Sequence, residues 1–303
     1  MTSLSYKKIL SFVLILVLAL ATGFSVGKLY VDSLGTEAVV SANEEQLREK
    51  DETVEALHQR SLTSSPENFS ALELYLIAEY NLNHAENFYK EMTGTVNALV
   101  VEQKMKSIKI KNGDILLFNK YSPGSTFVAD ICTQTIYNYQ TNEISINQGT
   151  FVDTSVENMK GNFDPDAAVP YTMEEYKEVF NTTPSSVMSY IISSITCQDE
   201  NFSAVTKNQD GTYSFSITLE GDRLSLAALY YSYEIKFSSG LAKAPSWVSL
   251  KMDVTVDENF NFKTIGYDEV YKMSHPLAGS VTVVDDFDEF YLFENVPSIE
   301  EVA

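Results

Sequence analysis

Histidine and cysteine are scarce in this chain, with three and two residues among 303. Two cysteines exclude a disulfide-dense scaffold and any zinc site built from four thiolates. His58, His84 and His275 lie far apart and no H-E-x-x-H pair occurs, which argues against a zinc hydrolase. The G-x-S-x-G nucleophile turn, the P-loop and G-x-G-x-x-G are also missing. Basic residues are few: 21 Lys and Arg stand against 42 Asp and Glu, a formal net charge of −21. Such acidity argues against nucleic acid, whose recognition needs clustered Lys and Arg, and against an anionic membrane surface as partner. No repeat of 20–50 residues is evident. No catalytic residue, metal set or cofactor is therefore assigned, and a non-enzymatic protein is expected.

What is present is apolar. Hydrophobic residues make up 44% of the chain, too many for a disordered polymer. Lys7 and Lys8 precede an uncharged run over 9–27, closed by Lys28. At about 1.5 Å per residue the run spans about 28 Å, close to a bilayer's hydrocarbon core. It reads as an uncleaved anchor, or alternatively as a signal peptide cut after Ala19-Leu20-Ala21. The paired lysines stay in the cytoplasm and the remaining chain is exported. The expected location is the cell membrane, single-pass with the C-terminal domain outside, or secreted if the run is cleaved. No cysteine near the end of the run supports a lipid-modified N-terminus. Export makes Cys132 and Cys197 a candidate disulfide, worth about 4 kcal/mol on the chain-entropy model. Two buried free thiols are the alternative.

The expected domains are 1–28 as the anchor or signal, 29–65 as an acidic stalk, and 66–303 as an extracytoplasmic antiparallel α+β domain. The stalk reads as a solvated, partly helical linker, because Leu47, Val54 and Leu57 are too sparse for a coiled coil. Ser65 and Pro66 suit the start of a helix running to about Met92 and stopping before Gly94. Strand-like runs follow over 95–104, 105–111, 115–120, 125–133, 135–139 and 143–152. Asn112-Gly113-Asp114 predicts a tight hairpin. Thr172 to Glu175 fits a capping box for a helix to about Phe180. Thr183-Pro184 opens a second helix with Val187, Tyr190, Ile191 and Ile195 on one face. Tyr213, Phe215, Ile217 and Leu219 alternate with small polar residues, the cleanest period-2 signature in the chain. Residues 223–237 read as a helix, with a strand as the alternative. Val248, Leu250, Met252, Val254 and Val256 alternate again, and strands over 260–273 and 280–295 close the chain. The total is about nine to eleven strands with three or four helices.

This order, with GTYSFSITLE, then PSWVSLKMDVTVDENFNFKTIGYDEVYKM, then a final strand ending near Pro297, resembles the bacterial outer-membrane lipoprotein carrier and mycobacterial lipid-binding lipoprotein superfamily. The resemblance covers roughly 66–297. It implies a curved antiparallel half-barrel, closed by helices over its concave face, with a cavity for lipids or acylated proteins. The chain departs from the lipoproteins by lacking the lipid-modified cysteine, and an anchored protein cannot diffuse across an envelope.

A separate argument points the same way. An apolar sheet face must be covered, and few helices are available. Incomplete cover leaves an apolar cleft, with Phe215, Ile217, Leu219, Leu250, Met252 and Val254 as its expected lining. Alternatively these side chains simply fill a core. Asp285, Asp286, Asp288 and Glu289 form the one dense carboxylate group of the domain. They lack calcium-loop spacing and read as a solvated, repelling strand edge. Residues 257–303 hold eleven acidic residues against Lys263 and Lys272, which suggests an end facing solvent or a basic envelope protein. The expected function is a membrane-tethered extracytoplasmic domain binding a hydrophobic, lipid-like ligand. The alternative is a cell-envelope interaction or scaffold module without a ligand cavity.

Overall fold

The computed structural model describes residues 47–302, apart from 99–100, 125–129, 181–182, 185–187, 239–240, 242 and 276–278. The apolar run over 9–27 lies outside the described residues. Among those described, no helix is long and apolar enough to cross a membrane.

Helix α1 (Asp51–Ser61) falls within the segment expected to be a solvated stalk. It lies along α2 (Ala71–His84) instead of standing clear of the body. Arg60 meets Glu73 at 2.8 Å, and the Tyr80 hydroxyl donates to Glu55 at 2.7 Å. Leu47 is buried, and its carbonyl accepts a 2.6 Å hydrogen bond from Ser193 Oγ. Pro66–Asn68 forms only a 3-10 turn. The α2 helix begins later, where Ser70 and Glu73 form a capping box by exchanging side-chain to backbone hydrogen bonds. Leu74, Tyr75, Ile77, Ala78 and Leu82 of α2 are buried in the main core.

The α2 helix ends at His84, not near Met92, because the next residues are claimed by a sheet. Strand β1 (Asn87–Ala98) pairs with β2 (Val101–Asn112) on one side and with β13 (Gly279–Leu292) on the other. Gly94 is therefore no helix stop. A Cβ there would lie 2.0 Å from the Asp286 carbonyl oxygen and 2.5 Å from Phe287 Cδ1, so glycine permits the close approach of β1 and β13.

The expected hairpin joins β2 to β3 (Ile115–Ser122), with Asn112 opposite Ile115 and Gly113 at φ 54°. Of the sequence runs 125–133 and 135–139, residues 125–129 lie outside the described residues, and the rest holds a single strand, β4 (Ile131–Asn138). The run 143–152 divides into β5 (Glu143–Gln148) and β6 (Thr150–Asp153). Strand β6 pairs with β7 (Lys160–Asn162), and β5 pairs with β8 (Val169–Tyr171). Thr172 and Glu175 cap α3 (Met173–Phe180) as the spacing predicts.

The second helix expected from Pro184 is not found among the described residues of 183–198. Tyr190 and Ile191 are buried there, but Ile195 is 43% exposed. Thr196 Oγ1 donates to the Ile191 carbonyl at 2.7 Å and accepts from the Ser193 amide at 3.0 Å. These side chains take the bonds a helix would need for its own backbone.

After the short β9 (Thr206–Lys207) and β10 (Tyr213–Glu220), the chain forms helices α4 (Gly221–Ala227) and α5 (Leu229–Ser238). Strands β11 (Ser246–Val256), β12 (Phe262–His275) and β13 follow, then α6 (Ile299–Val302). The result is an α+β fold on one open, curved antiparallel sheet of eleven strands, in the order β8-β5-β4-β3-β2-β1-β13-β12-β11-β10-β9. Helix α2 packs on β12, and α4 packs on β10 and β11. On the opposite face, Phe151 and Phe163, on and beside the β6–β7 hairpin, pack over Tyr121 and Cys132.

Candidate functional site: the inner face of the sheet

Directly opposed residues of an antiparallel ladder point to the same face. The register therefore lays the helix-facing side out in rows. One row runs Leu219, Leu250, Glu269, Asp285, Val96, and the next runs Ile217, Met252, Tyr267, Phe287, Gly94.

The six residues expected to line a cleft all lie on this face. They are between 0 and 3% exposed and belong to the main core. Leu224, Ala227 and Ala228, in and just after α4, are buried against the same core. The expected cleft is thus filled where α4 crosses β10 and β11. Two concavities are open surface depressions. One, of about 410 Å³, lies on the outer face around Gly266, Asp253 and Asp288. The other, of about 500 Å³, lies by His58, Tyr80 and His84.

The inner face is open elsewhere. Met92, Val96, Ala98 and Met105 pack against the rim of the main core yet are only half-buried. They form a strip along β1 and β2, beside the fully buried Tyr291 and Val283 of β13.

The acidic group of β13 is not a solvated edge. The strand sits inside the sheet, between β1 and β12. Asp286 and Asp288 face outward, whereas Asp285 and Glu289 are 2% and 4% exposed on the inner face. Glu289 lies 2.6 Å from Lys90 Nζ and accepts from the Tyr267 hydroxyl at 2.9 Å and from the Tyr291 hydroxyl. Asp285 accepts from the Tyr271 hydroxyl at 3.0 Å. Glu269 stands directly opposite Asp285. Glu269 Oε2 and Asp285 Oδ1 are buried without a hydrogen-bond partner, and the Tyr190 hydroxyl faces Glu269 without closing a bond to it.

Burial, with the Asp285 charge second, pushes the Glu269 carboxyl up to about 8. Burial pushes Asp285 up to about 7, against the opposing hydrogen bond from Tyr271. Burial likewise raises the phenols of Tyr190, Tyr267, Tyr271 and Tyr291, which keeps the last three as proton donors to the carboxylates they meet. Among the described residues, no three His, Cys, Asp or Glu side chains gather as a metal-binding set. This acid–tyrosine cluster was hidden by its charge. Its sequence signal is parity, since Asp285 and Glu289 alternate in step with Val283, Phe287 and Tyr291.

Cys132 and Cys197 are not joined. Both are buried free thiols, Cys132 in the outer-face cluster and Cys197 in the main core across the sheet. Burial raises both, Cys132 to about 11.

No family model matches the chain, and no curated protein matches it in sequence. Among solved structures it is similar to the Mycobacterium tuberculosis lipoprotein LppX, with a TM-score of 0.29 and 8% identity over 82% of this chain and 98% of that one. It is also similar to a DUF1329 family protein from Desulfovibrio piger, with a TM-score of 0.19 and 9% identity over 77% of this chain and 97% of that one.

Proposed function

We propose that this chain is an exported, membrane-tethered, non-enzymatic domain that holds the apolar chain of a lipid-like ligand against β1 and β2. The tether in this reading is the run over 9–27. One observation carries the ligand site: Met92, Val96, Ala98 and Met105 belong to the core side of the sheet but are only half covered. Apolar surface that an inner face leaves open gains about 25 cal/mol per Å² when a ligand covers it. Two methionines suit the task, because an unbranched thioether adapts to chains of different shape. The cleft expected over β10 and β11 plays no part in this reading, because its six residues are buried in the main core.

The test is mass spectrometry of an organic extract of the purified protein, together with displacement of a fluorescent fatty-acid probe. An apolar molecule should copurify and compete with the probe. Met105→Glu should abolish both signals without lowering the urea midpoint, because Met105 is already half in water. If nothing apolar copurifies and no probe binds the parent protein, the reading fails.

A further inference from the structure

Glu269 Oε2, Asp285 Oδ1 and the Tyr190 hydroxyl are buried on the inner face, each without a hydrogen-bond partner. The three residues are 3%, 2% and 1% exposed. Glu269 and Asp285 are directly opposed, which puts their Cβ atoms about 5 Å apart. The Tyr190 hydroxyl faces Glu269. Its ring packs on Trp247 and Tyr267, with centroids 5.7 and 6.2 Å away, and this packing holds the hydroxyl in that direction. The other oxygen of Asp285, Oδ2, accepts from the Tyr271 hydroxyl. Glu289, further along β13 on the same face, has its cation in Lys90. Among the described residues, neither Glu269 nor Asp285 forms an ion pair.

These atoms lie beside the half-covered strip. Asp285 is directly opposite Val96 of β1, so the two acids sit one and two strands in from Val96 along a single row. Val96 and Ala98 are only half-buried, and the row is therefore reached from the β1 side, where cover is incomplete. All three unpartnered atoms can accept a hydrogen bond. A primary ammonium carries three N–H donors and no acceptor, and its charge opposes that of two carboxylates. An alcohol brings one donor and a trimethylammonium group none. An anionic group would add like charge to the acid pair, in a chain whose net charge is already −21.

We infer that Glu269, Asp285 and Tyr190 receive the primary ammonium end of an amphiphile, whose apolar chain leaves across Val96 onto the strip of β1 and β2. The inference rests on the proposed ligand strip and adds the polar end of the ligand to it. The ammonium serves the three atoms that the fold leaves without a partner and separates two like charges. Buried as it is, the contact is screened by salt much less than one at an open surface. An amphiphile with a different polar end gains only from the apolar strip.

The experiment uses the full chain in non-ionic micelles near neutral pH. The probes are photoactivatable hexadecylamine, hexadecanol, hexadecyltrimethylammonium and palmitate at equal mole fraction in the micelle, with labelled peptides mapped by mass spectrometry. The amine and the alcohol should both label β1 and β2. The amine should exceed each of the other three by about tenfold or more, the usual worth of a hydrogen bond between charged groups. Glu269→Gln combined with Asp285→Asn should bring amine labelling down to the alcohol's level. Glu269→Gln alone and Tyr190→Phe, which keep the side-chain volume, should each reduce the amine preference and serve if the double variant does not fold. An amine that labels no better than the alcohol overturns the inference and leaves the ligand strip standing. So does a trimethylammonium probe or palmitate that matches the amine, or an amine preference that survives in every variant. No labelling of β1 and β2 by any probe overturns both.

Discussion

Replacing Glu269 by glutamine should stabilise the protein at pH 8 and change it little at pH 5. Glu269 and Asp285 face each other across β12 and β13, nearly inaccessible to water, and each leaves one oxygen without a hydrogen bond. Their folded midpoints, about 8 and about 7, stand above the ordinary 4.5 and 3.8. The folded pair therefore keeps protons that the unfolded chain has already released. The stability this contributes is complete below the unfolded midpoints and is lost as pH rises through the folded ones. Each such proton tilts stability by about 1.4 kcal/mol per pH unit, so one proton held across about three units amounts to about 4 kcal/mol. Glu269→Gln removes the larger rise and relieves Asp285 of a like charge. The gain over the parent protein should grow from near zero at pH 5 to about 2–4 kcal/mol at pH 8. Urea unfolding read from the single tryptophan, Trp247, whose ring lies 4.9 Å from that of Tyr271, measures this directly. A difference that stays level from pH 5 to 8, or shrinks, refutes the reasoning.

Gly94→Ala should destabilise by about 1–3 kcal/mol or more, since the new methyl meets backbone at 2.0 Å; thermal unfolding followed by circular dichroism checks it. Lys90→Met leaves the Glu289 carboxylate buried without its cation and should cost about 3–5 kcal/mol. Adding Glu289→Gln should recover most of that loss in the same urea assay. Without reductant, a thiol reagent should find both cysteines unreactive in the folded protein and both reactive in urea, whereas none reactive in urea would mean a disulfide.

Local signals were legible where the partner lies close in sequence. The Asn112-Gly113 hairpin, the Thr172–Glu175 cap and the inward set Tyr213, Phe215, Ile217 and Leu219 all appear as their spacing predicts. Interactions across long stretches of chain were not legible. The end of α2 at His84 is set by the pairing of Asn87–Ala98 with β13, which no window around Met92 contains. Ser193 and Thr196 look compatible with a helix until their hydroxyls are seen to bond the local backbone. The burial of the acidic residues of β13 is written in their alternation with apolar neighbours, while Lys90, Tyr267 and Tyr271, which make that burial tolerable, come from other strands. Whether an apolar stripe borders a void depends on where α4 comes to rest, and periodicity carries no information on that.

The join between β1 and β13 has a bearing on how the protein assembles. Each arm of the sheet is largely a succession of neighbours: β1 to β5 on one side, β9 to β13 on the other. Each arm can zip by hairpin steps, a route that needs only short loop closures. The join must wait for the final strand, since Tyr89 pairs with Leu292. Until then two half-sheets would coexist, and Lys90–Glu289 is an ion pair that spans their join. The seam would therefore close only after almost the whole chain had been made, with Lys90 and Glu289 helping to draw it shut.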